Sequence, residues 1–428
     1  MTTTPLPART AEAAPCCDEF ARLSRRGLLT GGAALGATAV VGSAVITAAT
    51  ASAASAAAGK ADSVLVVLSL RGAADGLSLV VPYSDPAYYR ARPRIAIPKS
   101  TLLATDGTFG LHPELRPLLP LWTSGELAAV HATGLPAPNR SHFAAMEAIE
   151  DADPGSERRQ GWLNRLVGQI PGSSPLQGFN LGGGVVPTSL FGPNPVMAAG
   201  DVDGVRFAGD DEWDEGGRLR SLHTLWDGQR GALGTAMRSA FDSVSDFEPV
   251  KATADNRTAR SYPNSELGRA LSQVARIVRG DVGVGVVTVD QGAWDMHTDV
   301  GTLEWGAMRR NAADLAASIA AFFTDLGSQR SKVTLVAFSE FGRRVAENDS
   351  WGLDHGYGNV MLLAGAGVKG GRYYGTMRPL EDGLDSDVAV TTDYRSVLSE
   401  VVTTRLGASR ASVFPGFQPE DVGVMSSL

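Results

Sequence analysis

Five runs of strand length, Ser63–Leu70, Leu127–His131, Gly285–Asp290, Lys332–Phe338 and Asn359–Ala364, are apolar at nearly every position rather than at alternate ones. A strand with one face in water alternates polar and apolar residues, so continuous runs predict strands covered on both faces. Between the runs, apolar residues recur near a 3.6 spacing over Pro113–Trp122, Ser141–Asp151, Trp162–Ile170, Ser265–Arg279, Leu303–Leu326 and Asp393–Leu406. Strands alternating with helices predict an α/β fold with a mostly parallel central sheet. The stretch 200–263 breaks this rhythm. It is polar, rich in Asp, Arg and Ser, and carries no strand pattern, so it reads as a helical insertion or cap on a single domain spanning 57–428.

The first 56 residues read as a removable leader. Leu23-Ser24-Arg25-Arg26-Gly27-Leu28-Leu29 has the form of a twin-arginine signal, and a weakly apolar stretch rich in Ala and Gly follows to about Ala49. Small residues at Ala49, Ala51, Ala53 and Ala56 offer A-x-A cleavage sites. The expected route is export across the cytoplasmic membrane to the periplasm or the exterior, with the twin-arginine machinery as partner and no stable membrane span after cleavage. The opposing reading of the same stretch is an uncleaved membrane anchor.

The only two cysteines, Cys16 and Cys17, precede the arginine pair and would leave with the leader. Disulfides, thiolate metal ligands and cysteine nucleophiles are thereby excluded from the mature chain. The net charge of −8 offers no basic surface for a phosphate backbone, which argues against nucleic acid as a partner. The segment after Leu28 contains no G-x-S-x-G, H-E-x-x-H or G-x-x-x-x-G-K-[ST]. Gly365, Gly367 and Gly370 fit G-x-G-x-x-G, but no helical pattern follows them, so a dinucleotide fold is not supported.

In an open parallel sheet, ligands bind beyond the carboxyl ends of the strands. The polar residues gather there. Asp75 follows the first run; Arg140-Ser141-His142 follows the second; Asp295 and His297 follow the third; Glu340 and Arg343 follow the fourth; Asp354-His355 precede the fifth. Each has a bland alternative: Asp75 as a turn residue, Ser141 as a helix cap, Glu340 and Arg343 as a solvated ion pair. Together they carry the oxygen and nitrogen donors that divalent metals take when thiolates are absent. The expected metal ligands are Asp75, Asp295, His297, Glu340, Asp354 and His355. Ser141, at a helix start, is the expected nucleophile, with Arg140 or Arg343 to hold non-bridging oxygens.

The ordered set RGAADGLS (71–78), RSHF (140–143), GWLNRL (161–166), WDMH (294–297), FSEFGRR (338–344), GLDHG (352–356) and GVKGG (367–371) resembles the domain of unknown function 1501 family over nearly the whole chain after the leader. That family is similar in turn to the alkaline phosphatase and sulfatase superfamily. The resemblance implies a three-layer, alkaline phosphatase-like sandwich, Asp75 as the ligand after the first strand, Ser141 as nucleophile, Asp295 with His297 as the mid-chain ligand pair and His355 as the late histidine. Ser339-Glu340 stands where the superfamily usually has Asp-His, and the mid-chain pair is spaced by two instead of four. One divalent ion or two is implied, with a small-molecule phosphate or sulfate ester as substrate. The alternative from a different class is a secreted, non-catalytic binding or assembly protein that keeps the scaffold.

Overall fold

The computed structural model describes residues 38–41, 44–47, 59–156, 159–183, 185–207 and 217–426. Arg25, Arg26, Cys16 and Cys17 lie outside them. Among the described residues, 11 strands form one sheet. They include β1 (Thr38–Val41), β2 (Ala44–Thr47), β3 (Val64–Leu70), β4 (Leu127–Gly134), β5 (Gly178–Leu181), β6 (Met197–Ala199), β7 (Val286–Gln291), β8 (Val333–Phe338), β9 (Asn359–Gly365) and β10 (Arg372–Tyr374), in the order β1-β2-β6-β5-β7-β3-β8-β9-β4-β10.

Strand β3 lies between β7 and β8, parallel to both, which is why its apolar run has no polar face. Successive residues feed opposite layers. Val64, Val66 and Leu68 pack with the helices Glu266–Gly280 and Ala307–Leu326, whereas Leu65 and Val67 pack with His142–Asp151, Trp162–Val167 and Tyr394–Leu406. Covering both faces keeps strand backbone paired and dry, each fully buried aliphatic side chain contributing roughly 1.5–3 kcal/mol.

The sheet is mixed α/β and mostly parallel, with one central exception. Strand β9 runs antiparallel to both β8 and β4. A strand of reversed direction begins at the rim where its neighbours end. The residues before β9 therefore meet the residues after β3, β7, β8 and β4, and this rim carries the polar loops.

Local chemistry sets the differences from the sequence expectation. The segment from Pro113 is a 3₁₀ turn to Leu118 and an α-helix only over Leu119–Thr123, because Pro117 and Pro120 cannot donate to a continuous helical ladder. Within 200–263 the described residues form the helices Gly217–Trp226, Ala232–Asp246 and Glu248–Lys251, and Phe241, Val244, Phe247 and Val250 join the same apolar cluster as Val287 and Leu315. Strands β5 and β6 are too short for a periodic signal. Strands β1 and β2 come from the segment read as leader: Val45 pairs with Ala198 and Ile46 with Met197, so the sheet continues across the boundary expected at residue 56. No helix of the described residues is long and apolar enough to cross a membrane.

Candidate metal centre

Three imidazoles converge at the rim. His142 is the first residue of its helix after β4, His297 sits in the loop after β7, and His355 stands just before β9. Nε2 of His355 is 3.0 Å from Nε2 of His142 and 2.8 Å from Nε2 of His297. Asp295 Oδ1 faces the same point, 3.6 Å from His142 Nε2, 3.1 Å from His297 Nε2 and 3.7 Å from His355 Nε2.

The outer nitrogens decide what the inner ones do. His142 Nδ1 donates to Glu340 Oε1 at 2.7 Å, His297 Nδ1 to Asp354 Oδ1 at 3.1 Å, and His355 Nδ1 to the Arg140 carbonyl at 2.8 Å. Carboxylates and carbonyls only accept, so each ring carries its hydrogen on Nδ1 and turns the Nε2 lone pair inward. Lone pairs at these separations repel unless a cation lies between them. Protons supply one answer: burial disfavours the charge on His142, but Asp295 and Glu340 outweigh it and raise its pKa to about 9. His297 is also raised, chiefly by Asp295. The carboxyls respond in the opposite sense. Burial pushes Asp295 up, but the three imidazoles and Arg343 hold it far below the usual carboxylate range.

A divalent ion supplies the other answer. Tetrahedral coordination at about 2.0–2.1 Å places neighbouring ligand atoms about 3.3 Å apart. Among His142, His355 and Asp295 the separations of 3.0, 3.6 and 3.7 Å bracket that spacing, with His297 Nε2 beside them at 2.8 Å from His355. Each imidazole already has the carboxylate or carbonyl partner that metal-bound histidines require. The donor set fits a borderline ion such as zinc.

Backbone contacts hold the loops in place. Residues 343 and 355 pair as a β-bridge, and Gly356 donates to the Gly342 carbonyl at 2.8 Å. A Cβ on Gly356 would lie 2.3 Å from the Arg343 carbonyl carbon, and one on Gly352 would lie 1.7 Å from the His297 carbonyl oxygen. Only glycine permits those approaches.

The remaining expected site residues take other places. Asp75 is fully buried, with its two carboxylate oxygens 2.6 and 2.9 Å from the Arg92 guanidinium, so it lies outside the imidazole cluster. Glu340 and Asp354 stand behind His142 and His297, where they orient rings. Arg343 is buried beneath the cluster, bonding the carbonyls of Gly72, Ala73, Trp294 and Leu353 and Asp295 Oδ1 at 2.6 Å. With every nitrogen engaged, Nη1 also lying 3.5 Å from His297 Nε2, it pins three loops and has no donor left for a substrate oxygen. Ser141 occupies the cap position of its helix, but its hydroxyl makes no cap bond and it lines the cleft of about 590 Å³ above the imidazoles. Arg140 and Arg344 stand at the edge of that cleft.

The residue absent from the sequence expectation is His142. The signal was its adjacency to Ser141 at a helix start on the ligand-binding rim, where the first side chain of the helix shares the position credited to the serine.

The chain belongs to the family described as "Protein of unknown function (DUF1501)", whose profile matches residues 108–394, more than half of the sequence. Every imidazole of the cluster falls inside that span. No curated protein matches it. Among solved structures it is distantly similar to Ps i-CgsB, with 12% identity, a TM-score of 0.35 and 83% of this chain and 74% of that one covered. A phosphonate monoester hydrolase of Agrobacterium radiobacter gives 13% identity and a TM-score of 0.33, over 84% and 78% of the two chains. A variant of TAB5 alkaline phosphatase solved with magnesium gives 10% identity and a TM-score of 0.28, over 74% and 95%.

Proposed function

We propose that this chain is an exported metal-dependent hydrolase of phosphate or sulfate esters, with one divalent ion held by His142, His297, His355 and Asp295. The observation that supports it is that His142, His355 and Asp295 bring ligand atoms within 4.8 Å of one another, with His297 Nε2 2.8 Å from His355 and 3.1 Å from Asp295, and each ring is locked from behind by an acceptor. A bound divalent ion supplies polarisation of an ester oxygen and lowers the pKa of an attacking hydroxyl. The chain's own residues do the rest. Glu340, Asp354 and the Arg140 carbonyl fix the rings, and Arg343 fixes Asp295 and the loops. Ser141, next to His142 and lining the cleft, is the nucleophile in this reading.

One observation favours a second reading. His142, His355 and Asp295 lie within reach of one ion, and His297 Nε2 stands 2.8 Å from His355 and 3.1 Å from Asp295. If His297 also closes on the ion, four protein donors complete a set, and closed sets belong to structural rather than catalytic centres. A secreted binding or assembly protein with a structural ion follows if Asp295 stays ligated; a catalytic centre follows if Asp295 yields to substrate and remains with Arg343.

Elemental analysis of the purified folded protein, joined to a panel of chromogenic phosphate, phosphodiester and sulfate esters, separates the two. The hydrolase reading expects about one ion per chain, lost in His355→Ala, and turnover lost in both His355→Ala and Ser141→Ala. A bound ion without turnover of any ester leaves the assembly reading. Absence of both ends the metal centre altogether.

A further inference from the structure

The cleft over the imidazoles has two guanidinium groups at its edge, and their partners come from one short segment. Arg140 pairs with Asp387, and Arg344 reaches Asp387 Oδ1 at 3.3 Å and Asp385 Oδ1 at 3.2 Å. Arg344 also bonds the Asp385 carbonyl. Both arginines spring from backbone tied to the imidazole cluster: the Arg140 carbonyl accepts from His355 Nδ1, and the Arg344 N–H donates to the Asp354 carbonyl at 3.0 Å. Their positions are therefore set by the site, whereas the carboxylates arrive from outside it.

The acidic segment is anchored at its two ends. Leu380 N–H donates to Asp85 Oδ2 at 2.7 Å, the Ser386 carbonyl accepts from Val345 at 3.0 Å and the Val388 carbonyl from Gly358 at 2.9 Å. The tip between them is the exposed part. Leu384 is 81% exposed at the cleft mouth, and the Asp385 side chain is 98% exposed. The Arg344–Asp385 pair, so open on the carboxylate side, contributes little, so exchanging that carboxylate for another anion costs little; the Asp387 side chain is 17% exposed, and replacing it costs more.

We propose that residues 383–387 form a displaceable latch whose Asp385 and Asp387 carboxylates occupy Arg140 and Arg344, the guanidinium pair that receives a tetrahedral oxyanion in the cleft. The inference rests on the proposed hydrolase reading for its ligand class. A tetrahedral oxyanion matches the planar forks of two arginines better than two separate carboxylates do, and it brings its remaining oxygens toward the imidazoles. Arg344 thus takes the anion-holding role that the sequence suggests for Arg343.

The test uses the full chain after metal analysis, with inorganic phosphate as probe in calorimetric titration and amide hydrogen exchange followed over 381–388. Phosphate is expected to speed exchange at the tip. Asp385→Asn with Asp387→Asn should bind phosphate about fivefold more tightly than wild type, equivalent to roughly 1 kcal/mol. Arg344→Gln should bind it at least tenfold more weakly. Binding by the double asparagine variant where wild type shows none also supports the latch. Unchanged exchange at the tip on phosphate binding, equal affinity in the double variant, or no phosphate binding by either protein overturns it. Metal content is read separately, so a chain that holds no ion sinks the metal reading while the exchange and affinity data still decide the latch.

Discussion

Glu340 shows how one residue can look like a ligand and serve as its support. Its Oε1 takes His142 Nδ1 at 2.7 Å and the Gly72 N–H at 2.9 Å, and its Oε2 lies 2.8 Å from the Ser339 hydroxyl. Burial raises its pKa, but these partners, His142 foremost, bring it below the usual value, so it stays ionised and fixes the ring. Glu340→Gln keeps the shape and removes the charge. Metal affinity should fall about 10–100-fold with stoichiometry at saturation unchanged. A competition titration against a chelating dye reads this directly, and an unaltered affinity would mean that Glu340 does not support the site. The sequence exposes the donor chemistry of these residues but not their order around the centre. Asp75, Glu340 and Asp354 all follow or precede the right strands, yet which carboxylate faces the ion depends on ångström-scale loop paths, and Arg92 removes Asp75 from the choice.

At the scale of elements, the long apolar runs were readable because burial on both faces leaves a continuous signature, and β3, β7, β8 and β9 fall where that signature stands. Direction was not readable. Nothing in Asn359–Gly365 distinguishes an antiparallel strand from a parallel one, although its reversal is what brings His355 to the rim. The hairpin β1–β2 is the other surprise. Ala44 and Ile46 are buried, and Thr47 donates its N–H to the Val196 carbonyl at 3.0 Å. Removal of residues 1–58 would turn β6 into an edge strand with an uncovered apolar flank at Met197 and Ala199. The shortened chain should melt roughly 2–3 °C lower, the loss of about 2 kcal/mol of burial, and should bind more hydrophobic dye. Equal melting and equal dye binding would show that the hairpin adds nothing to the sheet.

Across the whole molecule, buried histidines away from the cleft add to the acid sensitivity that the low-lying carboxyls of Asp295, Glu340 and Asp354 also bring. His131 is fully buried, stacks on Phe109 at 4.6 Å and donates Nε2–H to the Val80 carbonyl at 2.8 Å. Burial, only partly opposed by that bond, lowers its pKa to about 4, and burial lowers His112 likewise to about 4. Both are neutral in the folded chain and take up protons on unfolding below their ordinary value of 6.5. Their contribution is therefore present above pH 6.5 and is lost as pH falls toward 4, on the order of 3 kcal/mol for His131. Urea unfolding at pH 7 and pH 4.5 should show a smaller difference in His131→Gln than in wild type; equal differences would remove His131 from the account. Sequence alone determined the layered α/β architecture, the identity of the donor atoms and the absence of thiols after Cys17, because side-chain polarity and chemistry are properties of single residues and short runs. Tertiary structure alone decided that His142, His297 and His355 meet, that Asp75 and Arg343 are committed elsewhere and that an acidic segment sits on the arginines. Those facts depend on strand direction and on contacts between residues up to hundreds of positions apart, which no local pattern encodes.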